Sequence, residues 1–140
     1  MTIQRQIASD HRWRRARWVL IVDDDLTYRG GLKALFTNWQ WKILEASSGR
    51  KALDILDRHA INVVLLDVTP QGADCAEIVA AVRQRTRDLP IVIMGARITP
   101  EFRHAWRNRG VMECLSKPVE PQTLSALLFA RVPSSGFADS

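Results

Sequence analysis

Two short apolar segments that each end at aspartate constrain the fold of this chain more than any other feature. Residues 19–22 (VLIV) lead directly into Asp23, Asp24 and Asp25, and residues 61–66 (INVVLL) lead into Asp67. Short apolar runs of this kind are typical of strands that are covered on both faces, as in a parallel sheet. Parallel neighbours need a crossover connection, so we expect helices between such strands.

The intervening segments have the apolar spacing of helices, with side chains repeating every three or four residues. Strands are predicted at residues 19–22, 42–46, 61–66, 91–94 and 111–116. The inner faces predicted for the five following helices are Leu32, Leu35, Phe36 and Trp39; Ala52, Leu53 and Leu56; Cys75, Ile78, Val79 and Val82; Phe102, Ala105 and Trp106; and Leu124, Leu127 and Leu128. This alternation predicts an α/β fold, a doubly wound five-stranded parallel sheet with helices on both faces.

Composition is that of one globular domain with an uneven charge distribution. The 140 residues are 46% hydrophobic and 25% charged, with a net charge of +5. Residues 1–17 hold five arginines against one aspartate, which leaves only +1 for the remainder. We therefore expect a basic, flexible extension at residues 1–16, a domain at residues 17–131 and a flexible tail at residues 132–140.

The apolar runs are too short for a membrane span or a signal peptide, so we expect a cytoplasmic protein without membrane contact. Cys75 and Cys114 match no metal or redox spacing, and each lies in an apolar pattern. Both are predicted to be buried free thiols.

The residues that follow the predicted strands include carboxylates of a kind that binds cations. Asp23, Asp24 and Asp67 end two different strands, and parallel strands bring such ends to one edge of the sheet. Three adjacent carboxylates repel one another unless a hard cation lies among them, and an oxygen-only set suits Mg²⁺. Lys117, after the fifth strand, would add a positive charge to a site that can accept a phosphoryl group on an aspartate.

These residues resemble the receiver domain of two-component response regulators. VLIVDDD is similar to the family's first strand with its acidic pair, VVLLD to its phosphoacceptor strand, and LSKPV to its lysine-proline motif. The resemblance implies the (βα)5 flavodoxin-like fold with strand order 2-1-3-4-5, and a cis peptide bond between Lys117 and Pro118.

The same resemblance implies a role for each site residue. Asp67 would be the phosphoacceptor, Asp24 a direct Mg²⁺ ligand, Asp23 a ligand acting through water, and the Thr69 carbonyl the remaining protein ligand. Lys117 and the Ala96 backbone would contact the phosphoryl group. The donor would be a histidine kinase or a histidine phosphotransfer protein, and the protein itself would not be an enzyme. Asp25 is predicted separately, from its position, to cap the first helix.

Two positions depart from the family pattern. Gly95 stands at the end of the fourth strand, where receivers usually carry the threonine or serine hydroxyl that contacts the phosphoryl group. Cys114 stands where the coupled aromatic side chain is usual, three residues before Lys117. Since the missing hydrogen bond is worth about 1.5–3 kcal/mol, we expect phosphorylation to change the conformation weakly or by another route.

Two other functions remain to be weighed. A haloacid-dehalogenase-like phosphohydrolase would need a second aspartate two residues after Asp67, and Thr69 stands there. The stronger alternative is a phosphorylation-independent interaction module. In it an acidic partner would bind the basic extension or the rows of arginines spaced i, i+4 on the third and fourth helices, Arg83 with Arg87 and Arg103 with Arg107. We expect no effector domain after the last helix. We also expect a monomer or weak dimer that acts on a downstream protein through the fourth helix, fifth strand and fifth helix. Nucleic acid is not an expected partner.

Overall fold

The structure is a computed structural model, and it describes residues 16–68 and 73–132. The expectations for residues 1–15, for the Thr69 carbonyl and for residues 133–140 lie outside this part of the chain. Strands and helices alternate in the order β1 (Trp18–Val22), α1 (Leu26–Asn38), β2 (Lys42–Ala46), α2 (Gly49–Arg58), β3 (Val63–Asp67), α3 (Ala73–Arg85), β4 (Ile91–Gly95), α4 (Pro100–Arg107), β5 (Glu113–Ser116) and α5 (Pro121–Arg131).

The five strands form one parallel sheet in the order β2-β1-β3-β4-β5. The predicted fold class and strand order are therefore confirmed. β1 lies between β2 and β3, and its last residue, Val22, is level with Ala46 on one side and Leu66 on the other. This register brings the carboxyl ends of β1 and β3 to the same edge of the sheet.

Alternate residues of the central strands supply two separate cores. Leu20, Leu66 and Ile93 point to the face covered by α2, α3 and α4, whereas Ile21, Leu65 and Met94 point to the face covered by α1 and α5. All six side chains are almost completely buried. Burial on both faces explains why these strands read as continuous apolar runs rather than as an alternation of apolar and polar residues.

Several bounds of the predicted strands and one predicted inner-face residue are wrong. β1 begins at Trp18 rather than at residue 19, and β3 and β4 each end one residue later than predicted, at Asp67 and Gly95. β3 begins at Val63 rather than Ile61, because the Asn62 side chain accepts a hydrogen bond from the Trp18 amide at 2.6 Å and precedes the ladder. β5 begins at Glu113 rather than at residue 111. Ala105 is exposed, because Phe102 and Trp106 alone cover the inner side of the short helix α4.

Polar side chains cap the starts of α1, α2 and α4. The Asp25 carboxylate accepts hydrogen bonds from the amides of Thr27 and Tyr28, which confirms its predicted place as the cap of α1. Ser48 and Thr99 cap α2 and α4 in the same way. Among the described helices none is both long and apolar enough to cross a membrane.

Candidate functional site

Three carboxylates converge where β1 and β3 end. Asp23 and Asp24 follow β1, and Asp67 is the last residue of β3, the strand beside it. One oxygen from each carboxylate lies within 4.8 Å of the others. The sheet topology therefore brings together the acidic residues that the sequence separates by more than forty positions, as predicted.

Asp23 is the buried member of this cluster, with 2% of its surface exposed. Its Oδ1 accepts a hydrogen bond from the Asp25 amide at 2.9 Å, and its Oδ2 accepts one from the Lys117 ammonium at 2.9 Å. Arg29 in turn donates to the Asp23 carbonyl at 2.7 Å. Both carboxylate oxygens thus accept hydrogen bonds from the protein, and a charge can be buried at low cost only when it is paired and hydrogen-bonded in this way.

Lys117 joins Asp23 to Asp67. Its Nζ lies 2.7 Å from Asp67 Oδ1, which leaves Oδ2 without a hydrogen-bond partner among the described residues. Burial raises the pKa of the Asp67 carboxyl, the hydrogen bond from Lys117 lowers it and the charges of Asp23 and Asp24 raise it, with a net increase. Burial lowers the pKa of Lys117, but hydrogen bonds to Asp67 and Asp23 outweigh burial and raise it overall.

Asp24 differs from its neighbour because it is exposed and has no hydrogen-bond partner in residues 16–68 and 73–132. A cavity of about 150 Å³ borders Asp23, Asp24 and Asp67 and continues to Ser47 and Cys75. Carboxylate oxygens with open positions for water fit Mg²⁺, which keeps several waters when it binds to proteins. Asp24 and Asp67 have free oxygens for direct contact, whereas both oxygens of Asp23 are already occupied.

The two positions that depart from the receiver pattern are both buried. Gly95 ends β4, and a Cβ atom built on it would lie 2.6 Å from Val68 Cγ1 and 3.2 Å from Ile98 Cδ1. Val68 therefore fills the space into which a threonine or serine at residue 95 would project. Cys114 is fully buried in β5, and Ala96 is exposed directly after β4.

Tyr28 contacts the site but was missed by the sequence interpretation. Its ring centroid lies 4.2 Å from Lys117 Nζ, and its hydroxyl accepts a hydrogen bond from the Val119 amide at 3.0 Å. The sequence did carry one indication of this role: the chain's single tyrosine lies in the first turn of the helix that follows the acidic strand end.

The peptide bond between Lys117 and Pro118 is cis, as predicted.

Arginines near β5 are already paired within the chain. Arg107 lies 2.7 Å and Arg103 3.2 Å from the carboxylate of Glu113. Burial raises the pKa of Glu113, but hydrogen bonds from the Cys114 amide and Arg107 lower it below its usual value overall. These arginines therefore bind α4 to β5 rather than forming a row of free positive charges.

Both cysteines are buried and free, as predicted. Burial is the main cause that raises the pKa of Cys75 to about 12 and that of Cys114 to about 11. Cys75 nevertheless lines the cavity at the acidic cluster.

Comparison with solved structures shows the same fold. The chemotaxis response regulator CheY4 of Vibrio cholerae superposes with a TM-score of 0.75 at 26% sequence identity, over 84% of this chain and 99% of that one. A response regulator receiver domain protein from Methanospirillum hungatei, 17% identical, has the same fold, with a TM-score of 0.77 over 89% of this chain.

Sequence comparison identifies the family. The chain is 31% identical over 126 residues to the response regulator MprA of Mycolicibacterium vanbaalenii, covering 87% of this chain and 54% of that protein. The chain spans between about a tenth and about half of the length of the curated relatives it matches. The family model described as "Response regulator receiver domain" matches residues 19–129. This chain therefore belongs to the response regulator receiver domain family.

Proposed function

We propose that the chain accepts a phosphoryl group on Asp67 in a two-component phosphorelay. The observation that supports this best is the pairing of Asp67 Oδ1 with Lys117 at 2.7 Å inside a cluster of three carboxylates. Receiver domains are typically phosphoacceptors rather than enzymes acting on other substrates, and they generally bind Mg²⁺ at an acidic pocket. We assign residues 17–131 to this domain, with residues 1–16 and 132–140 as extensions.

In the proposed reaction, Asp67 Oδ2 attacks the phosphorus atom of the donor. A bond forms between Oδ2 and phosphorus while the bond from phosphorus to the donor's histidine nitrogen breaks, and the electron pair leaves with that nitrogen. Lys117 turns from Asp67 Oδ1 to an oxygen of the transferred group and neutralises part of its charge. Mg²⁺ bound by Asp24, Asp67 and, through water, Asp23 would neutralise the remainder, with the Thr69 carbonyl as a further ligand. The Ala96 amide is the proposed backbone donor.

An apolar groove beside the site is the proposed docking place for the donor. It has a volume of about 690 Å³ and runs between α1 and the start of α5, from Asp25 and Tyr28 past Leu35 to Pro121. We propose that a helix of a histidine kinase or histidine phosphotransfer protein binds there, because the groove is lined by Tyr28, which contacts Lys117, and can accept an apolar helix face.

Gly31 offers a test of this docking place. It lines the groove, and apart from its own stretch of helix no atom of the described residues lies within 4 Å of a Cβ added to it, so Gly31→Arg is compatible with the fold. We expect Gly31→Arg to slow transfer from a phosphorylated histidine phosphotransfer protein and to leave phosphorylation by acetyl phosphate unchanged. Equal transfer to both proteins would contradict the proposed docking place.

The output of the domain is proposed to be altered. Gly95 has no hydroxyl to contact a phosphoryl group, and Val68 fills the adjacent space. We propose that phosphorylation changes the surface of α4, β5 and α5 only weakly, although that surface would still contact the downstream protein. The same observation favours a second candidate function, an interaction module whose binding does not depend on phosphorylation.

Incubation with acetyl phosphate and Mg²⁺ followed by intact mass measurement tests the phosphoacceptor function. We expect the wild-type protein to gain the mass of one phosphoryl group and Asp67→Asn to gain none. Asp25→Asn is the matched control, because Asp25 lies at the same strand end and caps α1 outside the cluster. An unmodified wild-type protein, or equal modification of Asp67→Asn, would contradict the function.

Amide NMR shifts with beryllofluoride and Mg²⁺ test the altered output. Beryllofluoride here stands in for the phosphoryl group on Asp67. We expect shifts confined to the ends of β1, β3, β4 and β5 around the acidic site. Large shifts along α4 and the outer face of β5 would show that Gly95 does not prevent an ordinary switch. Binding of a downstream protein that is equal with and without the phosphodonor would favour the interaction module.

A further inference from the structure

Tyr28 is the side chain outside the acidic cluster that contacts Lys117 most directly. The ammonium group has three donor positions, and the carboxylates of Asp23 and Asp67 accept two of them, at 2.9 Å and 2.7 Å. The tyrosine ring also lies against the ammonium group, with its centroid 4.2 Å from Nζ. This distance is within the range of a cation–π interaction, in which a cation is attracted to the negative face of an aromatic ring.

The ring has a fixed place in the fold. Tyr28 is half-buried and packs against the core formed by α1 and α5, while its hydroxyl accepts a hydrogen bond from the Val119 amide at 3.0 Å. Val119 is two residues after Lys117, so the same side chain contacts both the lysine head group and the backbone that positions it. Because Tyr28 contacts both the side chain of Lys117 and the backbone at Val119, it restricts where the ammonium group can move.

We propose that Tyr28 is a positioning residue for Lys117 during phosphoryl transfer. The inference rests on the proposed function, because it assigns Tyr28 a part in the movement of Lys117 from Asp67 to the phosphoryl oxygen. The hydrogen bond from Lys117 to the Asp67 carboxylate is directional, and in that movement it is replaced by one to the phosphoryl oxygen. The attraction to a ring face is much less directional, so the ammonium can turn while it remains near the ring.

Two substitutions at residue 28 separate the ring from the hydroxyl. Tyr28→Phe keeps the ring and removes the hydrogen bond to Val119, whereas Tyr28→Leu keeps apolar volume and removes the ring. The readout is the rate constant of phosphorylation by acetyl phosphate at saturating Mg²⁺, followed by intact mass. We expect Tyr28→Leu to lower this rate constant about fivefold, the size expected for loss of a partly buried cation–π contact, and Tyr28→Phe to stay within about twofold of wild type.

Ile43→Ala is the matched control for general damage to the core. Ile43 is half-buried against the same core as Tyr28, but it lies on β2, which three other strands separate from β5. The Mg²⁺ concentration for half-maximal rate is measured for each variant, because a general loosening of the site would weaken Mg²⁺ binding as well. We expect that concentration to be unchanged in Tyr28→Leu, and both quantities to be unchanged in Ile43→Ala.

The outcomes distinguish this inference from the proposed function. A wild-type protein that accepts no phosphoryl group contradicts both. A wild-type protein that is phosphorylated while Tyr28→Leu reacts at the same rate contradicts the positioning role alone. The role is likewise contradicted if Tyr28→Phe loses as much as Tyr28→Leu, or if Ile43→Ala reproduces the loss.

Discussion

Replacing Gly95 by alanine tests whether the Val68 side chain fills the space beside residue 95, where receivers usually carry a threonine or serine. The added Cβ would lie 2.6 Å from Val68 Cγ1, closer than carbon atoms approach without displacement, so the valine must rotate or the strand must shift. Valine is stiff about χ1 because it branches at Cβ. Overpacking of this kind costs about 1–3 kcal/mol, whereas replacing a strand glycine by alanine restricts the unfolded chain and stabilises by about 0.5–1 kcal/mol. The middle values of the two ranges give a net loss of about 1 kcal/mol.

The same substitution in a Val68→Ala protein should have the opposite sign. No atom other than Val68 Cγ1 and Ile98 Cδ1 lies within 4 Å of the added Cβ in the described part of the chain, and the end of an isoleucine side chain moves easily. With Cγ1 removed, only the benefit of replacing glycine remains. We therefore expect Gly95→Ala to stabilise Val68→Ala by about 0.5–1 kcal/mol.

Urea denaturation of the four proteins, wild type, both single variants and the double variant, measures the coupling. An unchanged slope of unfolding free energy against urea would show that the midpoints report stability. If Gly95→Ala were neutral or stabilising in the wild-type background, or if its effect were the same in both backgrounds, Val68 would not be the side chain that fills the space beside residue 95.

Three further predictions concern the surroundings of the site. Asp25→Ala should lower the free energy of unfolding by about 1 kcal/mol because it removes the cap of α1, whereas Asp25→Asn should lose less; equal losses in urea denaturation would contradict the capping role. The lowered pKa of Glu113 means that its ion pairs stabilise the protein above the ordinary value of 4.5, and this stabilisation is lost as the pH falls below that value. The stability difference between wild type and Glu113→Gln should therefore shrink in acid, and a constant difference would be inconsistent with the pairing. Cys75 and Cys114 should resist iodoacetamide until urea unfolds the protein, because burial raises the pKa of both thiols; rapid labelling of the native protein, read by mass, would show that they are accessible.

The sequence predicted the sheet and the acidic cluster because both depend on regular patterns. Apolar runs mark strands that are buried on both faces, and the parallel arrangement sends the residue after each strand to one edge. Asp23 and Asp67 could thus be assigned to one site without knowledge of any side-chain contact. The start of β3 could not be predicted, since it depends on a hydrogen bond from Trp18 to Asn62, which are 44 residues apart.

Contacts between distant residues account for the rest of what the sequence did not predict. Tyr28 and Val119 are 91 residues apart, and no local pattern indicates that a helix residue reaches the loop after β5. The glycine at residue 95 was visible as a departure from the family, but the valine that fills its space lies on a neighbouring strand end. Ala105 fits the apolar spacing of α4 yet is exposed. Spacing indicates which side of a helix a residue faces, but not whether neighbouring side chains extend far enough to cover it.

Chemical mapping of the phosphorylated residue tests the central claim most directly. Protein treated with acetyl phosphate and Mg²⁺ is reduced with borohydride, which converts an aspartyl phosphate to homoserine, and is then digested and sequenced by mass spectrometry. The account predicts homoserine at residue 67 and unchanged aspartates at residues 23, 24 and 25. Homoserine at any of those three positions, or at none of the four, would contradict the assignment of Asp67 as the phosphoacceptor.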